Sequence, residues 1–211
     1  MIFSNREQAA RLLADKLVAY KGKNPLVLAI PRGAVPMAKL IADALDGEFD
    51  VVLVRKLGAP GNPEFAIGAI DETGWATLGP YAAMAGGDTG YIERVKAREL
   101  ETIRRRRAQY SPLHPPIDPQ GRIVIVVDDG LATGSTMLAA LHALRQRQPQ
   151  KLICAVPVAP PETLENVAGK ADEVVCLHAP ENFQAVGQFY ADFGQVEDEE
   201  VIALLSERKK P

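Results

Sequence analysis

Two adjacent carboxylates, Asp128 and Asp129, stand between a buried apolar run and a turn of small residues. The apolar run at 123–127 has the sequence Ile-Val-Ile-Val-Val, and the turn at 130–136 has the sequence Gly-Leu-Ala-Thr-Gly-Ser-Thr. Carboxylates can accept hydrogen bonds from the hydroxyl groups of a ligand, whereas hydroxyls and free amides at the start of a helix bind phosphate. The stretch therefore predicts an anion-binding site beside an acid pair.

Two common phosphate-binding motifs do not fit this stretch. Gly130 and Gly134 are one residue too close for a Walker A loop, and no lysine follows the second glycine. The dinucleotide-binding pattern Gly-x-Gly-x-x-Gly is absent. The structural alternative is an ordinary strand, turn and helix in which the aspartates and threonines only cap the helix.

A second candidate anion site lies near the amino terminus. Arg32 and Gly33 occupy a tight turn between an apolar strand-like run at 25–30 and a helical pattern at 35–45. An arginine beside the free amides of a helix start suits an anion, although alone it is more often a surface residue. Together with the acid pair, it predicts one half of a two-anion site.

The elements that position these residues alternate between strand and helix. Strand patterns at 25–30, 49–54, 123–127, 152–158 and 173–177 alternate with helical patterns, which predicts a parallel doubly wound sheet. Ligands bind at the carboxyl ends of such strands. Arg55 and Lys56 follow the second strand, where they could bind pyrophosphate or form a solvated basic pair.

The strand, the acid pair and the Thr-Gly-Ser-Thr loop together resemble the phosphoribosyl pyrophosphate signature of type I phosphoribosyltransferases. The resemblance implies an α/β fold: a Rossmann-like parallel β-sheet of about five strands with flanking helices, plus a small hood or lid. It implies that Asp128 and Asp129 are catalytic and bind the ribose hydroxyls. The implied 5-phosphate ligands are Ala132, Thr133, Gly134, Ser135 and Thr136, and the implied pyrophosphate ligands are Arg32, Gly33 and Lys56. Mg²⁺ is implied mainly through the substrate, with Asp128 or Asp129 contacting it through water.

We expect one phosphoribosyltransferase domain over residues 1–211. Its core spans about 22–57 and 120–178, a lid or insert spans 58–119, and a hood spans 178–195. The mobile lid is assigned within 78–91, where an ordinary β-ribbon is the alternative. The hood is rich in aromatic residues, and a flat apolar wall suits a base acceptor. Phe183, Phe189 and Tyr190 are the candidates for this wall, or they form the core of the hood itself.

The reaction implied by the resemblance transfers a phosphoribosyl group from phosphoribosyl pyrophosphate to a nitrogenous acceptor, expected to be a nucleobase, and releases pyrophosphate. In family members that act on 6-oxopurines, a third aspartate in the loop is the acceptor base, and Ala132 stands at the matching position. A hypoxanthine-guanine activity is therefore disfavoured. The alternative is a non-catalytic protein of the same fold that senses phosphoribosyl pyrophosphate or a nucleotide and regulates a partner.

The composition restricts the partners of the protein. The 211 residues carry a formal net charge of −3 without a strongly basic half, which argues against a nucleic-acid partner. A run of four arginines at 104–107 fits a solvated helix face, a phosphate-attracting patch or an intersubunit contact. The sequence has neither a long apolar span nor a signal-peptide pattern, so we expect a cytoplasmic protein without a membrane partner. We also expect a homodimer.

Overall fold

A computed structural model describes residues 1–79, 82–110 and 116–207. Positions 80, 81 and 111–115, which fall in the predicted insert, lie outside these residues. The helices are α1 (Arg6–Lys16), α2 (Val35–Ala44), α3 (Thr89–Tyr110), α4 (Ser135–Arg145), α5 (Pro161–Ala168) and α6 (Asp198–Ser206). The strands are β1 (Leu26–Ala29), β2 (Glu48–Val51), β3 (Val54–Ala59), β4 (Asn62–Asp71), β5 (Ala76–Leu78), β6 (Ile123–Val127), β7 (Lys151–Val158) and β8 (Glu173–His178).

Five of these strands form one parallel sheet in the order β2-β1-β6-β7-β8. This arrangement confirms the α/β fold class and the number of parallel strands expected from the sequence. From β1 the sheet extends to one side through β2 and to the other side through β6, β7 and β8. The order therefore changes direction between β1 and β6, and the crevice at such a switch point is where ligands bind in open α/β sheets.

The sheet is covered on both faces, which explains why its strands lack an apolar–polar alternation. In β1, Val27 and Ala29 belong to a core cluster shared with α1 and α2. Leu26 and Leu28, which alternate with them, belong to a second cluster shared with α4. Successive residues of a strand point to opposite faces, so a strand between two helical layers is apolar throughout.

The predicted second strand, 49–54, is wrong at its carboxyl end. The chain leaves the parallel sheet after Val51, and Val54 begins β3 of a separate antiparallel sheet in the order β3-β4-β5. Arg55 and Lys56 consequently lie within β3, paired with β4, and do not follow a parallel strand. An unbroken apolar run cannot indicate where its pairing partner changes, so the boundary was not visible in the sequence.

The antiparallel sheet is fixed against the parallel core through α4. The indole of Trp75, which lies between β4 and β5, stacks on the imidazole of His142 with 3.4 Å between ring centroids. Ala69 of β4 also belongs to the core cluster that contains the apolar face of α4. Because α4 begins directly after the candidate phosphate loop, this packing positions β3 beside the loop.

No helix in the described ranges is long and apolar enough to cross a membrane.

Candidate active site

A cavity of about 420 Å³ lies at the carboxyl ends of β1 and β6, at the switch point of the sheet. Most of its wall comes from the turn after β1 and the stretch after β6. Lys56 of β3 also lines it. Three further residues, Arg6, Val186 and Phe193, come from the amino-terminal helix and the carboxyl-terminal segment. The cavity thus brings together all the predicted ribose, phosphate and pyrophosphate ligands.

Asp128 and Asp129 both line this cavity because β6 ends at Val127 and the strand alternation stops there. The backbone N–H of Asp129 donates to Oδ1 of Asp128 over 2.9 Å. The hydroxyl of Tyr190 donates to the carbonyl oxygen of Asp129 over 2.6 Å. These bonds fix the backbone of the acid pair, so both carboxylates can be offered to one ligand.

The turn after the acid pair ends at Gly134, whose φ of 72° is left-handed and which caps α4. This cap makes no side-chain hydrogen bond to the helix. The hydroxyls of Thr133 and Ser135 instead lie 3.1 Å apart at the edge of the cavity. The first N–H groups of a helix lack intrahelical acceptors, so these hydroxyls and amides together suit a phosphate.

The turn at 130–136, the candidate phosphate turn, is held in place by α5. The hydroxyl of Thr163 donates to the carbonyl oxygen of Ala132 over 2.6 Å, and Thr163 is buried. A Cβ at Gly134 would lie only 2.8 Å from Cγ2 of Thr163. The turn is therefore packed closely and is preorganised for its ligand.

The turn after β1 reaches the acid pair directly. A Cβ on Gly33 would lie 2.1 Å from Oδ2 of Asp129, so only glycine leaves room for the carboxylate there. The neighbouring Arg32, joined to Pro31 by a cis peptide, lines the cavity. Its Nη1 lies 3.1 Å from Oε2 of Glu197 and 3.9 Å from Oδ1 of Asp198. Any anion that binds Arg32 would compete with these acidic residues.

Arg6 is a site residue that the sequence interpretation missed. Its Nε and Nη2 both lie 2.8 Å from Oδ2 of Asp129, and its Nη1 donates to the carbonyl oxygen of Gly194 over 2.6 Å. Its guanidinium also lies 3.9 Å from the centroid of the Phe193 ring. One signal was available, because Arg6 lies on the helical face that Ala10, Leu13 and Leu17 make apolar.

The acid pair is electrostatically strained. Burial first, and then the charge of Asp129, raise the pKa of Asp128 well above the ordinary value of 3.8. Lys56 and Arg6 oppose that shift. Burial also raises the pKa of Asp129, and the charge and hydrogen bond of Arg6 hold that pKa down. The ionised pair therefore depends on its neighbouring cations.

The predicted acceptor wall lies mostly behind the cavity. Phe189 and Tyr190 are buried, and neither they nor Phe183 lines the cavity. Phe183 stacks on Phe189 with 5.4 Å between centroids, and Tyr190 stacks on Phe193 at 4.9 Å. Phe193 is 37% exposed and faces the cavity. The three aromatic residues stay a prediction as acceptor ligands, and the geometry favours Phe193 in that role.

In the cavity, the acid pair lies between the turn after β1 and the turn at 130–136, and each of these turns leads into a helix. A family model described as the phosphoribosyl transferase domain matches residues 2–193. The chain belongs to this family, which confirms the resemblance seen in the sequence.

Individual relatives agree with the family. The chain is 48% identical to the protein TT1426 from Thermus thermophilus, whose crystal structure it matches with a TM-score of 0.83 over 98% of this chain and 99% of that one. Two curated proteins from Mycobacterium tuberculosis strains, provisionally named phosphoribosyl transferases, are each 41% identical over 205 residues. The alignment covers 97% of this chain but 46% of each relative, so the chain spans about half of their length.

Replacing Arg6 with glutamine tests its hold on Asp129. Without the guanidinium, the pKa of Asp129 rises further, so more of the carboxyl is protonated at a given pH and fewer molecules can accept hydrogen bonds through both carboxylate oxygens. We expect binding of phosphoribosyl pyrophosphate to weaken about tenfold at neutral pH. The pH below which binding is lost should also move upward.

Calorimetric titration from acidic to neutral pH measures both effects. Arg11→Gln is the matched control, because Arg11 lies on the same helix and pairs with Glu7 on the exposed side. An Arg6→Gln variant whose binding follows the same pH curve as the wild type would contradict the proposed role of Arg6.

Proposed function

We propose that the protein transfers a phosphoribosyl group from phosphoribosyl pyrophosphate to a nitrogenous acceptor and releases pyrophosphate. The observation that carries this proposal is the single cavity in which the acid pair lies between two anion-binding turns. The donor has the same pattern of charge, since its ribose hydroxyls lie between a 5-phosphate and a pyrophosphate. Family membership supports the same reaction class.

The donor would bind across the crevice in three parts. Asp128 and Asp129 would accept hydrogen bonds from the two ribose hydroxyls. The 5-phosphate would occupy the turn at 132–136, and the pyrophosphate would contact Arg32, the turn at Gly33 and Lys56. The phosphates lie away from the reacting carbon, so their binding energy can be used to orient the ribose.

In the reaction, the bond from C1 of the ribose to pyrophosphate oxygen breaks and a bond from C1 to the acceptor nitrogen forms. The ribose becomes positively charged while the leaving group gains negative charge. The ionised acid pair would stabilise the positive ring, and Arg32 and Lys56 would stabilise the leaving group. Charges that are fixed before the reaction stabilise a transition state without the cost of reorganisation.

Mg²⁺ fits this site through the donor. The described residues contain no group of three or more His, Cys, Asp or Glu residues that could hold a metal ion by themselves. Mg²⁺ is commonly held by one or two carboxylates together with substrate phosphates. Asp128 or Asp129 would hold it, through water, against the donor, and the ion would neutralise the charge that develops on pyrophosphate.

The acceptor would approach from the side of Val186 and Phe193, which both line the cavity. Phe193 offers an exposed aromatic face on which a planar ring could stack. Ala132 cannot take up a proton, which favours an acceptor whose attacking nitrogen already carries a free lone pair. With a nucleobase other than hypoxanthine or guanine, the proton of the attacking nitrogen would pass to solvent or to the released pyrophosphate. The lid at 78–91, the cytoplasmic location and the homodimer also stay predictions.

An acceptor screen tests the proposal directly. The protein is incubated with Mg²⁺, phosphoribosyl pyrophosphate and single nucleobases, and pyrophosphate release and the nucleotide product are measured. We expect one base to give both products. Phe193→Ala should then raise KM for that base about fivefold, since an aromatic stacking contact contributes about 1 kcal/mol, and should change donor affinity less.

The outcomes separate the two functions considered. Donor binding without release of pyrophosphate for any acceptor would support the non-catalytic sensor. If phosphoribosyl pyrophosphate does not bind at all, both functions are wrong.

A further inference from the structure

A second cavity, of about 340 Å³, adjoins the proposed donor site. It shares three lining residues with the first cavity, namely Pro31, Lys56 and Thr136. Its other walls come from β3 and the middle of α3. Neither aspartate of the acid pair and neither Arg32 nor Gly33 lines it, so its chemistry differs from that of the donor site.

The charge of the second cavity is strongly positive. Arg55, Lys56, Arg98 and Arg106 line it against the single carboxylate of Glu99, which leaves an excess of three positive charges. Concave walls of one charge attract and concentrate ligands of the opposite charge. Arginine is also the side chain best suited to phosphate oxygens, since its planar guanidinium donates two parallel hydrogen bonds.

Two of these cations are held by a buried anchor. The side chain of Glu99 is 8% exposed and lies between two arginines. Its Oε2 accepts from Nε of Arg55 over 3.0 Å, and its Oε1 accepts from Nε of Arg98 over 2.9 Å. The carboxylate thus fixes both guanidinium groups at the cavity wall and leaves several of their N–H groups for a ligand.

Arg106 comes from the run of four arginines whose purpose the sequence left open. Neighbouring members of the run have other partners: Arg107 pairs with Glu72 at 2.7 Å, and Arg104 lies 4.0 Å from Glu101 on the exposed side. Arg106 lines the second cavity and makes no salt bridge within the part of the chain that the structure describes. Its charge is therefore available to an anion.

We propose that this cavity is a second anion-binding site that takes a polyphosphate group, with Arg98 and Arg106 as its own ligands and Lys56 shared with the donor site. The polyphosphate is a separate anion that binds beside the donor, whose own pyrophosphate is assigned to Arg32, Gly33 and Lys56. The proposal goes beyond the proposed function. It rests on that function only in that the donor is expected to bind on the other side of Lys56.

Inorganic tripolyphosphate is the probe for the test. Its binding to the full chain is measured by calorimetry at about 0.15 M salt, where weak surface attraction is screened. We expect Arg98→Gln and Arg106→Gln each to weaken binding about tenfold or more, the usual effect of losing a charge-assisted hydrogen bond. Arg104→Gln, from the same run but outside the cavity, should bind as the wild type does.

A second titration tests whether this anion is separate from the donor. If protein saturated with phosphoribosyl pyrophosphate still binds one equivalent of tripolyphosphate, the cavity holds a separate anion. If saturation with the donor abolishes tripolyphosphate binding, the cavity is not a separate anion site and the proposal is overturned. Equal tripolyphosphate binding by the wild type and both variants, or no binding by the wild type, overturns the proposal. Failure of the donor to bind the wild type would refute the proposed function alone, because the tripolyphosphate comparison does not need the donor.

Discussion

Replacement of Asp128 and Asp129 together by asparagine should abolish binding of phosphoribosyl pyrophosphate while the protein stays folded. Each carboxylate would lose a charge-assisted hydrogen bond to a ribose hydroxyl, at about 1.5–3 kcal/mol per bond. The combined loss corresponds to a decrease in affinity of roughly 10²- to 10⁴-fold. Calorimetric titration with the donor in the presence of Mg²⁺ measures this effect.

The same double variant should be more stable than the wild type at neutral pH. The folded state raises the pKa of Asp128 well above 3.8, so it holds that proton more tightly than the unfolded chain does. Between these two pKa values the folded state binds more protons, and the free energy of unfolding therefore decreases as the pH rises. Asparagine cannot ionise, so the double variant does not lose this part of its free energy of unfolding as the pH rises.

Thermal unfolding at a series of pH values measures the predicted gain in stability, and the donor titration measures the predicted loss of binding. Asp118→Asn serves as the control, because Asp118 is exposed and pairs with Arg147 on the surface. It should change neither donor binding nor the pH dependence of unfolding. A double variant that binds the donor with wild-type affinity would refute the assignment of the acid pair.

The parts of the site that the sequence predicted are those in which neighbouring residues act together. The acid pair and the phosphate turn follow one another within a single strand–turn–helix unit, and the turn at Arg32 belongs to a second such unit. Parallel strands bring their carboxyl ends to one edge, so the meeting of the two units followed from the fold class. The family resemblance rested on these contiguous residues and was confirmed for the same reason.

The parts that were missed depend on contacts between distant segments. Arg6 and Gly194 meet through a hydrogen bond although they lie at opposite ends of the chain. Phe193 could not be distinguished from its aromatic neighbours, because exposure to the cavity depends on the path of the backbone. The role of Tyr190 was not visible for the same reason. Its ring is buried, and its hydroxyl donates to the carbonyl oxygen of Asp129.

Gly33→Ala should greatly weaken donor binding although it adds only one methyl group. The added Cβ would lie 2.1 Å from Oδ2 of Asp129 and 3.0 Å from Nε of Arg6. The carboxylate would have to move by about 1 Å or more, away from its 2.8 Å contacts with the guanidinium. A displacement of that size in a binding or catalytic group commonly costs about 10²-fold. We expect a loss of that order in donor affinity, measured by calorimetry.

Two comparisons show whether the effect passes through Asp129. Gly169→Ala is the control for the change itself, because its Cβ would meet no atom closer than 3.9 Å and its φ of −72° suits alanine. In an Asp129→Ala background the clash at residue 33 disappears, so Gly33→Ala should then add little to the loss. Such non-additivity is expected of two residues in direct contact. If the two losses instead simply add, the glycine at position 33 acts on the donor by another route, and its contact with Asp129 does not explain its place in the site.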